Sequence, residues 1–205
     1  MIGISKKNEG MLYYFYMMSD GEITHNEEKL FEKICVELGI TESEKQEIIS
    51  SCNDILDFNR ASIENVLCGK SKSKKVMEIA EGFLSAFNGS SDSFYSSFET
   101  YEHESEDKLT RIIWNMINLG YADEHFTDEE KRIVKHFVKK WNIKEEIYFE
   151  LIDIADTMLA LEKQREWLLS TYSKGKKRNE KEKKIDKATN ELLSDVKITI
   201  KELSM

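Results

Sequence analysis

Moving the chain 103 positions along itself lays one stretch on another without a gap. Ser19-Asp20-Gly21-Glu22-Ile23-Thr24-His25-Asn26-Glu27-Glu28 meets Ala122-Asp123-Glu124-His125-Phe126-Thr127-Asp128-Glu129-Glu130-Lys131. Asp20 falls on Asp123, Ile23 on Phe126, Thr24 on Thr127 and Glu27 on Glu130. Downstream, Leu30, Phe31, Ile34, Leu38 and Ile40 fall on Ile133, Val134, Phe137, Trp141 and Ile143. Upstream, Tyr13, Tyr14 and Met18 fall on Met116, Ile117 and Tyr121. An apolar pattern held in register this way reads as an internal duplication of a helix–acidic loop–helix unit.

The periodicity of the unit is helical. Leu30, Phe31, Ile34, Cys35 and Leu38 recur at three and four residues, the stripe of a helix that buries one face. Thr24-x-x-Glu27, Thr127-x-x-Glu130 and Thr41-x-x-Glu44 are capping boxes, each joining a threonine hydroxyl and a glutamate to two unpaired backbone amides. Gly39 follows the stripe where a helix ends in a left-handed residue. The apolar stretches Met11–Met18 and Ile112–Leu119 are taken as two central helices, apolar nearly all round. Further helices are expected over about 42–57, Ala61–Cys68, Lys74–Phe87 and Glu145–Thr171, with a loop at residues 88–93. The chain has no proline in 205 residues, where average usage would give roughly ten. These signals predict an all-α protein: one helical bundle with a pseudo-two-fold internal repeat, plus a C-terminal helical arm. The bundle spans 1–155, with repeat units at about 11–57 and 104–155, and the extension spans 156–205.

Charge divides the chain differently. Residues 174–187 carry eight basic and three acidic side chains, a net +5, which leaves −14 on the rest of a chain whose net charge is −9. An acidic body repels nucleic acid, and no aromatic or glycine interleaving accompanies the basic run. Ile185, Ala188, Leu192, Val196, Ile200 and Leu203 then mark an amphipathic helix. Its apolar stripe should be buried against the body or another chain, so the arm is read as docking back, binding a protein partner, or self-associating. Peripheral contact with an anionic membrane is a further reading. Residues 176–205 are expected to be removable without unfolding the bundle.

The three cysteines, Cys35, Cys52 and Cys68, form no C-x-x-C pair, and Cys35 sits in the apolar register of a helix. No signal-peptide pattern is visible, so the cytoplasm is the expected compartment. The four histidines lack metal-ligand spacing, and the aromatics at 13–16 read as core. No nucleophile, base and oxyanion-donor set is visible, so the expectation is that the chain is not an enzyme.

The acidic loops remain. Asp20, Glu22 and Glu27, with Asp123, Glu124 and Glu130, are oxygen ligands of the kind Ca²⁺ or Mg²⁺ requires. They do not make EF-hands: counted from Asp20 or Asp123, position 12 is Phe31 or Val134, where a bidentate glutamate is needed. Capping accounts for Glu27 and Glu130, but not for Asp20 and Asp123, four residues before each cap. A divalent-cation site and plain loop structure are therefore both open. A hydrolase with two metals held by the clustered carboxylates and a purely structural, self-assembling helical protein are the alternatives.

An apolar helix, then Asp20-Gly21-Glu22-Ile23-Thr24, Glu27-Glu28, Leu30-Phe31, Ile34 and Leu38-Gly39-Ile40, with the plan repeated about a hundred residues on, resembles the TerB-like tellurite-resistance family. The resemblance covers about residues 8–155. It implies a bundle of roughly seven helices and a non-enzymatic adaptor of stress-response or defence systems, working in larger complexes and near membranes. It also implies metal binding at Asp20, Glu27, Asp123 and Glu130. The second copy departs from the pattern, since Glu124 stands where the first has Gly21. A positive φ there would strain a glutamate.

Overall fold

A computed structural model describes residues 4–18, 23–66, 105–124 and 126–202. These residues form seven α-helices: α1 (Lys6–Met17), α2 (His25–Glu37), α3 (Glu42–Val66), α4 (Glu106–Gly120), α5 (Asp128–Lys140), α6 (Glu145–Thr171) and α7 (Lys176–Glu202). The protein is an all-α bundle, as expected.

The two apolar stretches occupy the centre. In α1, Met11, Tyr13, Tyr16 and Met17 are buried; in α4, Ile112, Ile113, Met116, Ile117 and Leu119 are fully buried. Each such aliphatic side chain contributes about 1.5–3 kcal/mol relative to exposure, so helices apolar on most faces settle inside. α1 packs on α2, α3 and α4, while α4 also touches α2, α5, α6 and α7. At Gly10 the absent side chain matters, because a Cβ would stand 2.9 Å from the terminal methyls of Ile40 and Ile48. α1 and the start of α3 approach closely there.

Helix ends follow the sequence signals and recur at the same spacing. α2 and α5 both begin with complete capping boxes, Thr24/Glu27 and Thr127/Glu130. Both end in Schellman turns: Ile40 N–H donates to the Cys35 carbonyl and Ile143 N–H to the Val138 carbonyl, each at 2.9 Å. The left-handed residues of these turns are Gly39 (φ 67°) and Asn142 (φ 54°), glycine and asparagine being the residues that tolerate this region. The third box also forms, with the Thr41 N–H donating to Glu44 at 2.8 Å and the Glu44 N–H to the Thr41 hydroxyl at 3.3 Å.

Two expectations change. The helices expected over 42–57 and 61–68 are one helix, α3, as far as Val66. No glycine or proline stands between Asp57 and Ala61 to interrupt the hydrogen-bond ladder. The boundary expected at residue 155 falls inside α6, which runs unbroken from Glu145 to Thr171. The expected helix over 74–87 and the loop at 88–93 lie outside the described residues.

α7 folds back antiparallel along α6 and also reaches α4. Val196 enters the main core, with Leu192, Leu193 and Ile200 packed against it, and Ile185 is buried. Of the readings open for the apolar stripe of the arm, docking on the body is the one observed. Arg165 holds Asp186 at 2.6 Å, and the Thr199 hydroxyl donates to Glu150 at 3.0 Å. No helix among the described residues is long and apolar enough to cross a membrane.

Candidate functional site

The acidic residues singled out in the sequence separate into three kinds. Glu27 and Glu130 are buried, and their carboxylates accept the backbone N–H groups of Thr24 at 2.7 Å and Thr127 at 2.8 Å. Each therefore closes a helix end, and the second threonine hydroxyl also reaches Glu130 at 2.8 Å. Asp123 and Glu124 lie in the turn after α4, where the Glu124 N–H donates to the Tyr121 carbonyl at 3.0 Å. Glu124 has φ 69°, so the glutamate at the glycine position adopts the strained conformation that the repeat implied. Its carboxylate pairs with Lys163 of α6 at 3.1 Å. Asp20 and Glu22 lie outside the described residues, as does His125.

The second loop therefore suits capping and ion pairing better than a cation. Two of its three carboxylates are committed to protein donors, and Asp123 also makes a contact within the protein. Among the described residues, no three His, Cys, Asp or Glu side chains gather as a metal centre. Cys35 and Cys52 are free thiols buried in the core. Burial pushes them up to about 11 and about 12, respectively, so both remain protonated and unreactive near neutrality.

Two polar arrangements were not singled out in the sequence. The first is a buried cluster between α1 and α4. Glu9, 1% exposed, accepts the Tyr13 hydroxyl at 2.7 Å and the Arg111 guanidinium at 3.2 and 3.3 Å. The Asn115 amide donates to the Tyr13 oxygen at 3.0 Å. Burial, and next the Glu9 charge, raise the Tyr13 phenol well above its ordinary range, so it stays a hydroxyl donor. Nearby, the Lys108 ammonium caps the Ile4 carbonyl at 2.7 Å. This cluster clamps the first helix to the fourth. The available signal was a lone glutamate inside an apolar helix, with arginine and asparagine four residues apart on the facing one.

The second arrangement is a groove of about 510 Å³ between α6 and α7. Glu146, Phe149, Glu150, Asp153, Ile154 and Thr157 of α6 line it with Leu192 of α7. Their three- and four-residue spacing puts them on one helix face. Ile154 and Leu192 make an apolar floor, and three carboxylates fringe it. Phe149 stands 52% exposed, with the Lys135 ammonium 6.0 Å from its ring centroid. The half-exposed ring extends the apolar floor of Ile154 and Leu192 outward to solvent. The run Glu146-x-x-Phe149-Glu150-x-x-Asp153 is legible in the sequence, but only the docking of α7 makes it a groove.

At the far end of the hairpin the chemistry reverses. Trp167 is 54% exposed and Leu169 is also exposed. The Trp167 ring meets Tyr172 edge-on at 6.0 Å, and the Lys181 ammonium lies 4.4 Å from the Tyr172 centroid. Lys174, Lys176, Lys177, Lys183 and Lys184 are exposed around it. The hairpin thus presents an acidic groove near its base and a basic aromatic tip. The chain matches no protein-family model, no curated protein and no solved structure.

Proposed function

We propose that this chain is a non-enzymatic interaction module of the TerB-like kind, a cytoplasmic adaptor in a stress-response or defence system, with the α6–α7 groove as its docking face. The observation that carries the reading is the half-exposed Phe149 set between an apolar floor and three carboxylates. An apolar anchor inside a charged rim is how protein-binding surfaces are built. The occupant suited to it carries a large apolar residue flanked by lysine or arginine. The internal duplication is part of the same reading, supported by the capping boxes and Schellman turns that recur at one spacing.

A synthetic helical peptide with one tryptophan among lysines tests the docking face. It should shift the backbone amide resonances of residues 146–157 and 192, and Phe149→Ala with Asp153→Lys should abolish the shifts. An acidic peptide of the same length should leave them in place. Shifts mapping elsewhere, or none at all, would remove the groove from the proposal.

A divalent cation belongs to the proposal through the first acidic loop, Asp20 and Glu22, and is tested separately. A cation present at 100 times its dissociation constant adds about 2.7 kcal/mol. Millimolar Ca²⁺ or Mg²⁺ should therefore raise the melting temperature, and Asp20→Asn should remove the rise. An unmoved wild-type melt withdraws the cation and leaves the docking face untouched.

A further inference from the structure

We infer that the groove takes a second copy of this chain, presented by the basic tip of its α6–α7 hairpin. The inference rests on the groove being a docking face and names its occupant. The tip offers an exposed indole, Trp167, on a hairpin end that carries exposed ammonium groups. The groove offers Phe149, Ile154 and Leu192 within a fringe of Glu146, Glu150 and Asp153. Apolar centres and charged rims are therefore complementary in sign and in kind, the arrangement that orients and speeds association.

One hairpin cannot satisfy itself. About twenty helical residues separate the groove on α6 from the tip, which is roughly 30 Å at 1.5 Å per residue. The two helices are packed along this length, with Arg165 on Asp186 and Glu150 on Thr199 fixing their register. At that separation, several Debye lengths at physiological salt, the tip is also electrostatically independent of its own groove. The contact is consequently head-to-tail between copies. A heterologous contact of this type leaves one groove and one tip free at the ends, and grows into a ring or a filament.

The lysines are available for it. Arg178 is held by Glu182 and the Tyr172 carbonyl, and Lys187 by Glu191. Lys174, Lys176, Lys177, Lys183 and Lys184 have no such partner among the described residues. With no opposite charge to satisfy at home, their interaction with a partner carboxylate costs no existing pair.

Sedimentation of the full chain over a concentration series tests the inference. At low salt the mean mass should rise with concentration, and at about 0.5 M salt, where the Debye length falls to roughly 4 Å, the rise should be much smaller. Lys174→Glu/Lys176→Glu/Lys177→Glu in the tip should give a folded monomer, and so should Glu146→Lys/Asp153→Lys in the groove. Mixed in equal amounts, the two monomeric variants should assemble again, because an acidic tip now meets a basic groove and a basic tip an acidic one. Trp167→Ala should weaken assembly about tenfold, the cost of one buried aromatic anchor of about 1.4 kcal/mol.

A wild-type chain that stays monomeric at low salt overturns the inference. So do larger species that survive the tip reversal, or variants that fail to restore each other. A tip that binds vesicles of acidic phospholipid while the chain remains monomeric also overturns it, and assigns the lysines to a lipid surface. If the chain is monomeric but a basic peptide still shifts the groove resonances, the docking face stands and its occupant is another protein.

Discussion

Over five pairs of positions 103 residues apart, the two parts of this molecule place their charges differently. Glu9 is buried in α1, and Ile112 occupies the matching place in α4. Lys6 reaches Glu44 at 3.0 Å and the Gly39 carbonyl at 2.8 Å across an exposed corner. At the matching positions Leu109 and Ile147 are buried. Lys7 pairs with Glu47 on the surface, whereas Thr110 is fully buried and Glu150 bonds Thr199 of α7. The capping boxes and Schellman turns around these positions are the same. What differs is α7, which lies on α4 and α6. A surface covered by another helix excludes water, and charged pairs there would suffer desolvation that apolar side chains do not. The backbone plan is therefore common to both parts, and the exposed corners keep their charges where water reaches them, while the buried Glu9 is a charge held inside by Arg111 and Tyr13.

Removing the cover is the most severe way to break this comparison. Deleting residues 176–205 exposes the side chains beneath Val196 and discards Val196 and Ile185 themselves. At about 1.5–3 kcal/mol for each fully buried aliphatic, the loss is roughly 5 kcal/mol, a large share of a typical domain stability. The expectation from sequence that the arm is removable is replaced by this one. Denaturant titration should show the truncated chain retaining helix, with a much lower midpoint or no cooperative transition. An unchanged midpoint would mean that α7 is an accessory to the core.

The buried carboxylate comes next. Arg111→Ala leaves Glu9 inside the protein with only the Tyr13 hydroxyl and should cost about 3 kcal/mol. Replacing the polar set with apolar groups, Glu9→Leu with Tyr13→Phe, should cost less. The Arg111 side chain, 45% exposed, can then turn to water. If the double replacement proves worse than Arg111→Ala, the cluster is an asset and not a tolerated burden.

Where the two parts agree, perturbations should agree too. Thr24→Ala and Thr127→Ala each remove one cap and should each cost about 1 kcal/mol, within a few tenths of one another. The left-handed positions sharpen this. Gly39→Ala meets no atom within 4 Å, so its cost of about 1 kcal/mol is backbone strain alone. Glu124→Gly should relieve similar strain and raise stability by about 0.5 kcal/mol, net of a surface pair with Lys163 that contributes little. Thermal melts of the four variants test the signs, and a loss on Glu124→Gly would make the Lys163 pair the stronger effect.

The smallest effect distinguishes the corners by pH. The Thr41 backbone N–H, followed by the Lys6 ammonium, holds the Glu44 carboxyl down to about 2, against an ordinary 4.5. A carboxyl depressed by folding stabilises above its unfolded pKa. That contribution is lost as pH falls from about 4.5 towards 2. Glu44→Gln should flatten the acid limb of the stability curve in this window. Ile147, at the matching position, has no charge to lose, so its replacement should leave the pH dependence alone. An acid limb unchanged by Glu44→Gln would assign it to other carboxylates.

Local chemistry was sufficient for the helix ends and for the centre. Thr-x-x-Glu, the glycine after Leu38 and the apolar runs of α1 and α4 act within one turn or one face, so their outcome is contained in neighbouring residues. The positive φ of Glu124 was legible because its counterpart is Gly21. α3 continues past the expected break because Asp57 and Asn59 disfavour a helix only weakly, and neither glycine nor proline interrupts the ladder. The roles of Glu27 and Glu130 as caps followed from spacing, while the fate of Glu124 depended on Lys163, about forty residues away on another helix. The cluster around Glu9 and the groove beside Phe149 were decided by tertiary structure. Each joins side chains from helices far apart in the chain, and no periodicity within one helix records which face its partner will cover.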